Sequence, residues 1–252
     1  MNRACLTILA LGVLITTTGN TCLLAADATA RVDVNSAYVW RGITLNDKIV
    51  VQPSIDIATP VGVGINVWGN YNTDGNNTIS PENEFSEIDL TLSYAKTVGP
   101  VDLGVGCSEY LYPHQCDATG APARGTREAY ASAGMELIAG LYAEAKFYYD
   151  LDEVKAFYGS LALTYGMDII KDKLSVEISA SAGCAEEDWA VANSGGTEGG
   201  LHDYNATAST TCKITENLQL GANAGYTSTL DKDVLPEQKV DVYGGASVSL
   251  SF

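Results

Sequence analysis

Acidic residues recur along this chain at positions whose immediate neighbours are apolar or small. Asp33, Glu87, Asp89, Asp102, Glu136, Glu144, Glu177 and Asp241 share that setting, and Arg41 and Lys146 are the basic residues found in it. Side chains that alternate with apolar ones lie together on one face of an extended strand. Charge on such a face survives only beside water or an opposite charge, because the same residues turned to hydrocarbon would be expensive. Two kinds of chemistry follow. Lining an aqueous lumen, the carboxylates concentrate cations and repel anions. Packed against Arg41, Lys146 and the tyrosines, they become glue in a filled interior. These ten residues are the expected pore-lining set, and Trp68, Tyr142, Tyr148, Tyr158 and Tyr243, on the same face, are expected to narrow the passage.

Other chemistries fit less well. Of the two histidines, His114 lies in the loop-like run Tyr112-Pro113-His114-Gln115-Cys116, and strand alternation would turn His202 away from Asp203. No His-x-Ser arrangement falls on a strand, so acyl transfer or hydrolysis is not expected and the chain is read as a non-enzyme. The oxygen-rich runs at 72–77 and at Glu186-Glu187-Asp188 lack the alternating ligand spacing of a calcium loop. The cysteines lack a CxxC zinc pattern, so neither metal nor cofactor is expected. A net charge of −17 argues against nucleic acid as a partner.

The elements that must carry the charged face are strands. In the first, Val32, Val34, Ser36, Tyr38 and Trp40 oppose Asp33, Asn35, Ala37 and Arg41; in the fourth, Ile88, Leu90, Leu92 and Tyr94 oppose Glu87, Asp89, Thr91 and Ser93. The last sets Val240, Val242, Ala246, Val248, Leu250 and Phe252 against Asp241, Tyr243, Ser247, Ser249 and Ser251. About twelve such segments succeed one another, each near the length that a tilted strand needs to cross hydrocarbon. Weak apolar content in the sixth and tenth leaves ten or fourteen as alternatives. Long polar connections at 72–84, 111–127, 184–201 and 228–238 alternate with short ones such as Thr59-Pro60-Val61 and Thr215-Glu216-Asn217. Trp40, Tyr71, Phe147, Tyr149, Phe157, Tyr204 and Tyr226 fall at one end of the apolar face, and Tyr94, Tyr165 and Phe252 at the other, as interfacial aromatic belts do. The expected fold is therefore all-β, a transmembrane up-and-down antiparallel barrel in the bacterial outer membrane.

Residues 1–30 have the layout of a secretory signal: Met1-Asn2-Arg3, an apolar run at 6–15 too short to span a bilayer, and small residues offering cleavage after Ala26, Ala28 or Ala30. That leaves 31–252 as the barrel. Cys5 and Cys22 leave with the signal, and the export route permits disulfides among Cys107, Cys116, Cys184 and Cys212. Cys107 with Cys116 is the first candidate pair, Cys184 is an alternative partner for Cys116, and Cys212 falls near the opposite rim.

The segment Ser36-Ala37-Tyr38-Val39-Trp40-Arg41-Gly42-Ile43, with Gln52-Pro53, Val67-Trp68-Gly69-Asn70, Glu109-Tyr110-Leu111-Tyr112-Pro113 and Tyr148-Tyr149-Asp150-Leu151-Asp152, resembles the TorF-like family of outer-membrane porins. Ser249-Leu250-Ser251-Phe252 looks like the C-terminal signal read by the barrel-insertion machinery. The resemblance implies a channel, with outer-membrane lipid, lipopolysaccharide and small solutes as partners. The expected function is passive diffusion of small hydrophilic solutes with cation preference. The alternative is a non-conducting structural or adhesive barrel that works through its outer loops.

Overall fold

Strands with one apolar and one polar face, and too few large side chains to pair two sheets, bury their backbone groups by closing on themselves. The computed structural model, which describes residues 26–74, 82–116 and 120–252, shows that closure. The strands are β1 (Asp27–Asn35), β2 (Tyr38–Trp40), β3 (Ile43–Asn46), β4 (Val50–Ala58), β5 (Val63–Asn72), β6 (Glu84–Val98) and β7 (Val101–Leu111). After them come β8 (Thr126–Ile138), β9 (Leu141–Asp150), β10 (Phe157–Ile170), β11 (Leu174–Ala185), the helix α1 (Glu187–Asn193), β12 (Gly200–Lys213), β13 (Leu218–Thr229) and β14 (Val242–Ser251). β1 and β4 to β14 form a closed antiparallel barrel of 12 strands, sealed where β14 returns to β1 through pairs such as Asp33↔Ser247. Residues 1–25 of the expected signal and 75–81 of the loop after Asn72 lie outside the described residues. β1 opens at Asp27 and pairs with β4 from there (Asp27↔Ala58), so cleavage after Ala26 keeps every one of its pairs and cleavage after Ala30 would remove some.

The outer surface is apolar. Leu92, Val105, Phe147, Leu161, Leu163, Ile178 and Val248 are all exposed there. Most of the aromatic belt takes its expected place: Tyr71 meets Phe85 edge-on, and Tyr149 packs on Phe157 and Tyr204 on Tyr226 at the outer end, while Tyr94, Tyr165 and Phe252 are exposed at the other. The buried apolar cluster is inside instead, in the outer half of the lumen, where Ile43, Tyr158, Trp189, Val234 and Leu235 meet.

That cluster overturns one expectation. The first period-two segment does not run on to Trp40 as a single membrane strand. The wall ends at Asn35, and Tyr38–Trp40 pairs with Ile43–Asn46 in a separate two-stranded hairpin outside the barrel's ladder. Trp40 therefore packs in the lumen against Trp189 (ring centroids 5.6 Å apart), not in the lipid belt. The inward tyrosines also divide. Tyr130 and Tyr243 lie flat over the cross-strand glycines Gly106 and Gly225, where a Cβ would meet each ring at 2.4 Å, so they hug the wall. Tyr148 and Tyr158 stand toward the axis and join the cluster.

Candidate functional site

Two residues at the hairpin tip, Arg41 at φ +49 and Gly42 at φ +80, make the left-handed turn that matches strand twist. Gly42 is needed twice over, for its backbone and because a Cβ there would lie 2.5 Å from the Asp203 Cβ. Gly42→Ala should therefore lift the tip off its seat, at a cost of about 1–2 kcal/mol from the backbone alone. Red-shifted tryptophan emission with a lowered urea midpoint would register it; wild-type emission would show that the tip tolerates the methyl group.

The tip reaches across the lumen to β8. Arg41 donates Nη1 and Nη2 to the two carboxylate oxygens of Glu128, at 2.8 and 2.6 Å. Both side chains are almost fully removed from solvent, 8% and 5% exposed. The guanidinium carbon lies 4.4 Å from the Trp40 ring centroid, 4.1 Å from Tyr148 and 4.6 Å from Tyr158, and Tyr110 donates to Glu128 at 2.9 Å. Burial works to lower the Arg41 pKa, but the hydrogen bonds and charge of Glu128 more than reverse it, so the guanidinium keeps its charge. Arg41 is thus a bridge across the lumen and not the strand-borne lining residue expected from the sequence.

The hairpin's other edge is held by amides. Asn223 donates to Asn35 (3.3 Å), Asn35 to Gln52 (2.8 Å), Gln52 to Asn70 (2.9 Å), and Asn70 to Asn72 (2.9 Å) and Ser86 (2.8 Å). Asn46 of the hairpin joins this chain by donating to Asn72 at 2.8 Å. Above the tip, Ser194 beyond α1 donates to the Val234 carbonyl (2.8 Å), and Thr197 N–H donates to that of Asp233 (2.6 Å), so α1 and the loop before β14 cap the hairpin as one layer.

The remaining predicted lining residues separate by depth. Glu87 and Asp89 lie at the level of the plug: Glu87 is buried beside Tyr38, and Asp89 Oδ1 is buried without a hydrogen-bond partner. Below the plug the wall is wetter and more open. Asp33 takes two hydrogen bonds from Arg31 at 2.7 Å, and Asp102 accepts from Thr97 (2.6 Å) and Tyr142 (3.0 Å). Glu144 pairs with Lys146 at 3.2 Å, Glu177 is exposed, and Glu136 accepts from Gly140 N–H at the inner rim. Asp241 was expected on the last strand. It sits instead in the bend before β14, lining an outer cleft of about 140 Å³ with Gly42, Thr227 and Gln238, because β14 begins only at Val242.

Cys107 and Cys116 are both free, contrary to the expected pair. Cys107 sits on the outward face of β7 between Leu92 and Ala129, roughly 13 Å of strand below Leu111, whereas Cys116 lies in the loop beyond the rim. A disulfide needs Cα atoms within about 7 Å. Cys184 and Cys212 are free as well.

His202 and Asp203 correct another expectation. A bulge sets these two residues opposite Gly183 alone, between the pairs Cys184↔Leu201 and Ala182↔Tyr204, so both enter the lumen and His202 Nδ1 lies 2.8 Å from Asp203 Oδ1. Tyr158 and Asn205 also donate to Asp203, at 2.8 and 2.6 Å. The imidazole is wholly buried, edge-on to Tyr158 and Trp189, and the pair braces α1. Glu128 was legible as inward-facing from its alternation with Tyr130. Nothing in its spacing marked it as the partner of Arg41.

A family profile described as a bacterial protein of unknown function (Gcw_chp) matches residues 24–202. No curated protein matches the sequence. Among solved structures, the KdgM porin in complex with disordered oligogalacturonate superposes with a TM-score of 0.56 at 9% identity, over 90% of this chain and 99% of that one. The NanC porin gives 0.52 at 9% identity, over 90% and 98%. An outer-membrane channel from Pseudomonas putida F1 gives 0.53 at 11% identity, over 94% and 100%. At these identities the likeness is one of fold: the chain is a small outer-membrane β-barrel.

Proposed function

The chain belongs to the bacterial Gcw_chp family, whose function is unknown, and we propose that it is an outer-membrane channel for passive diffusion of small hydrophilic solutes, with a preference for cations. The observation that carries this reading is the wall below the plug. Asp33, Asp102, Glu136, Glu144 and Glu177 face a lumen in which Arg31, Lys146 and, at the inner rim, Lys213 are bases on the same face. One sign of charge between low-dielectric walls focuses the field and enriches counter-ions. The resemblance to TorF-like porins supports a channel, as does the fold shared with KdgM and NanC. KdgM was solved with an oligogalacturonate, a polyanion, and this acidic wall suits the opposite charge. The exposure of Phe252 at the inner end of the apolar face, 73%, supports its reading as the signal for the barrel-insertion machinery, and the outward apolar surface supports lipid and lipopolysaccharide as neighbours.

Reversal potentials in planar bilayers across a salt gradient should show cation selectivity. It should weaken as the Debye length falls from about 30 Å at 0.01 M to about 3 Å at 1 M salt. Joint replacement of Asp102, Glu144 and Glu177 by their amides should lower the selectivity without loss of the barrel, since all three lie in the wetter half. Anion selectivity in the wild type would refute the charge assignment.

One observation favours the non-conducting alternative: the ion-paired aromatic plug fills the outer half of the lumen. Folded protein that gives no channel events at any salt, with or without the hairpin tip released by Gly42→Ala, would establish that reading instead.

A further inference from the structure

Arg41 occupies a pocket with the composition of a binding site for a planar organic cation. Trp40, Tyr148 and Tyr158 offer ring faces to the guanidinium, and Glu128 accepts its two parallel N–H bonds. Stacked rings and a bidentate carboxylate are how a free guanidinium is recognised.

Three observations make the arrangement more than a cross-link. Arg41 holds a tip position where Asn, Asp or Gly is the ordinary residue, so the side chain is retained against the turn's own preference. The hairpin that carries it is not hydrogen-bonded into the barrel ladder, so the tip can withdraw while the wall stays closed. Glu128 is also not the last acceptor at this depth, since Asp89 lies near it and retains a buried oxygen without a hydrogen-bond partner.

We propose that this cage is a recognition site for soluble guanidinium-bearing solutes, small basic molecules of the arginine type, and that Arg41 is its built-in competitor. A solute that takes Glu128 and the faces of Tyr148 and Tyr158 releases the tip, which carries Trp40 with it, and opens the part of the lumen that the hairpin fills. The substrate class and the gating rest on the channel reading above; the cage itself does not.

The chain's three tryptophans, Trp40, Trp68 and Trp189, all lie in or beside the plug, so their emission reads the cage directly. Refolded protein in detergent micelles is titrated with methylguanidinium chloride, and with sodium chloride at equal ionic strength. The wild type should give a saturable change with methylguanidinium alone. Arg41→Ala, which removes the competitor, should bind it at least about tenfold more tightly, since apparent affinity scales with the fraction of empty sites. Glu128→Gln should lose the response. Should Arg41→Ala fail to fold, Arg41→Lys, which keeps the charge but not the planar fork, should show a smaller gain in the same direction. In bilayers, arginine amide should raise wild-type sodium conductance, and Arg41→Ala should conduct without it. No difference between methylguanidinium and sodium in every folded variant would overturn the cage, whatever the bilayers show. Saturable binding with no conductance in any variant would keep the cage and end the channel reading.

Discussion

Glu128→Gln should cost the barrel about 3–5 kcal/mol and unseat the hairpin, because it leaves a buried guanidinium with half a partner. Glu128 uses both oxygens, receiving two bonds from Arg41 and one from Tyr110. Glutamine keeps one acceptor and turns an NH₂ group toward a cation that solvent hardly reaches. The loss should appear as a lowered urea midpoint in lipid vesicles and as red-shifted emission from Trp40 and Trp189, which both pack near the guanidinium. Removing both charges, as Glu128→Gln with Arg41→Gln, should recover part of the stability, since no unpaired charge is then buried. A single variant with wild-type midpoint and emission would mean that the aromatic packing holds the hairpin without the ion pair.

Leu163→Arg should cost about 2–4 kcal/mol and impair insertion, the penalty for arginine at the lipid-facing midplane of a barrel. Leu163 is 46% exposed at the centre of β10, with Ala143 and Ala180 as cross-strand neighbours, so an arginine there meets no carboxylate on its own face. Thr164→Arg, one residue on, faces the lumen between the strands that carry Glu144 and Glu177 and should be tolerated. Heat-modifiable migration on gels distinguishes the two. Equal assembly would mean that the inside and outside of β10 have been exchanged.

Much of this wall is legible in the sequence, because hydrocarbon on one side and water on the other impose a period of two that soluble sheets seldom sustain so long. Ala–Ser or Leu–Thr alternation carries the same message in weak and strong segments alike. What failed to show was everything that leaves the wall. Tyr38 and Trp40 continue the alternation of Val32 and Val34, and an aromatic ring inside a plug reads the same in sequence as one at a lipid interface. The better signal was Arg41-Gly42 between two short apolar runs, a two-residue hairpin tip. The bulge at His202-Asp203 was hidden for a similar reason, since one extra residue on one strand leaves both flanking alternations intact. The Arg41–Glu128 contact spans the barrel, and no local pattern encodes a distance of that kind.

The hairpin's independence from the wall bears on how such a chain can diversify. On the proposed channel reading, selection acting on the first outer loop alters what the lumen admits without touching the hydrogen bonds that insertion depends on. The two traits are inherited on one chain but mutate separately. A population facing a new solute can therefore sample tip sequences at little risk to membrane assembly, and the loop between Asn35 and Val50 is the natural place to graft a foreign specificity.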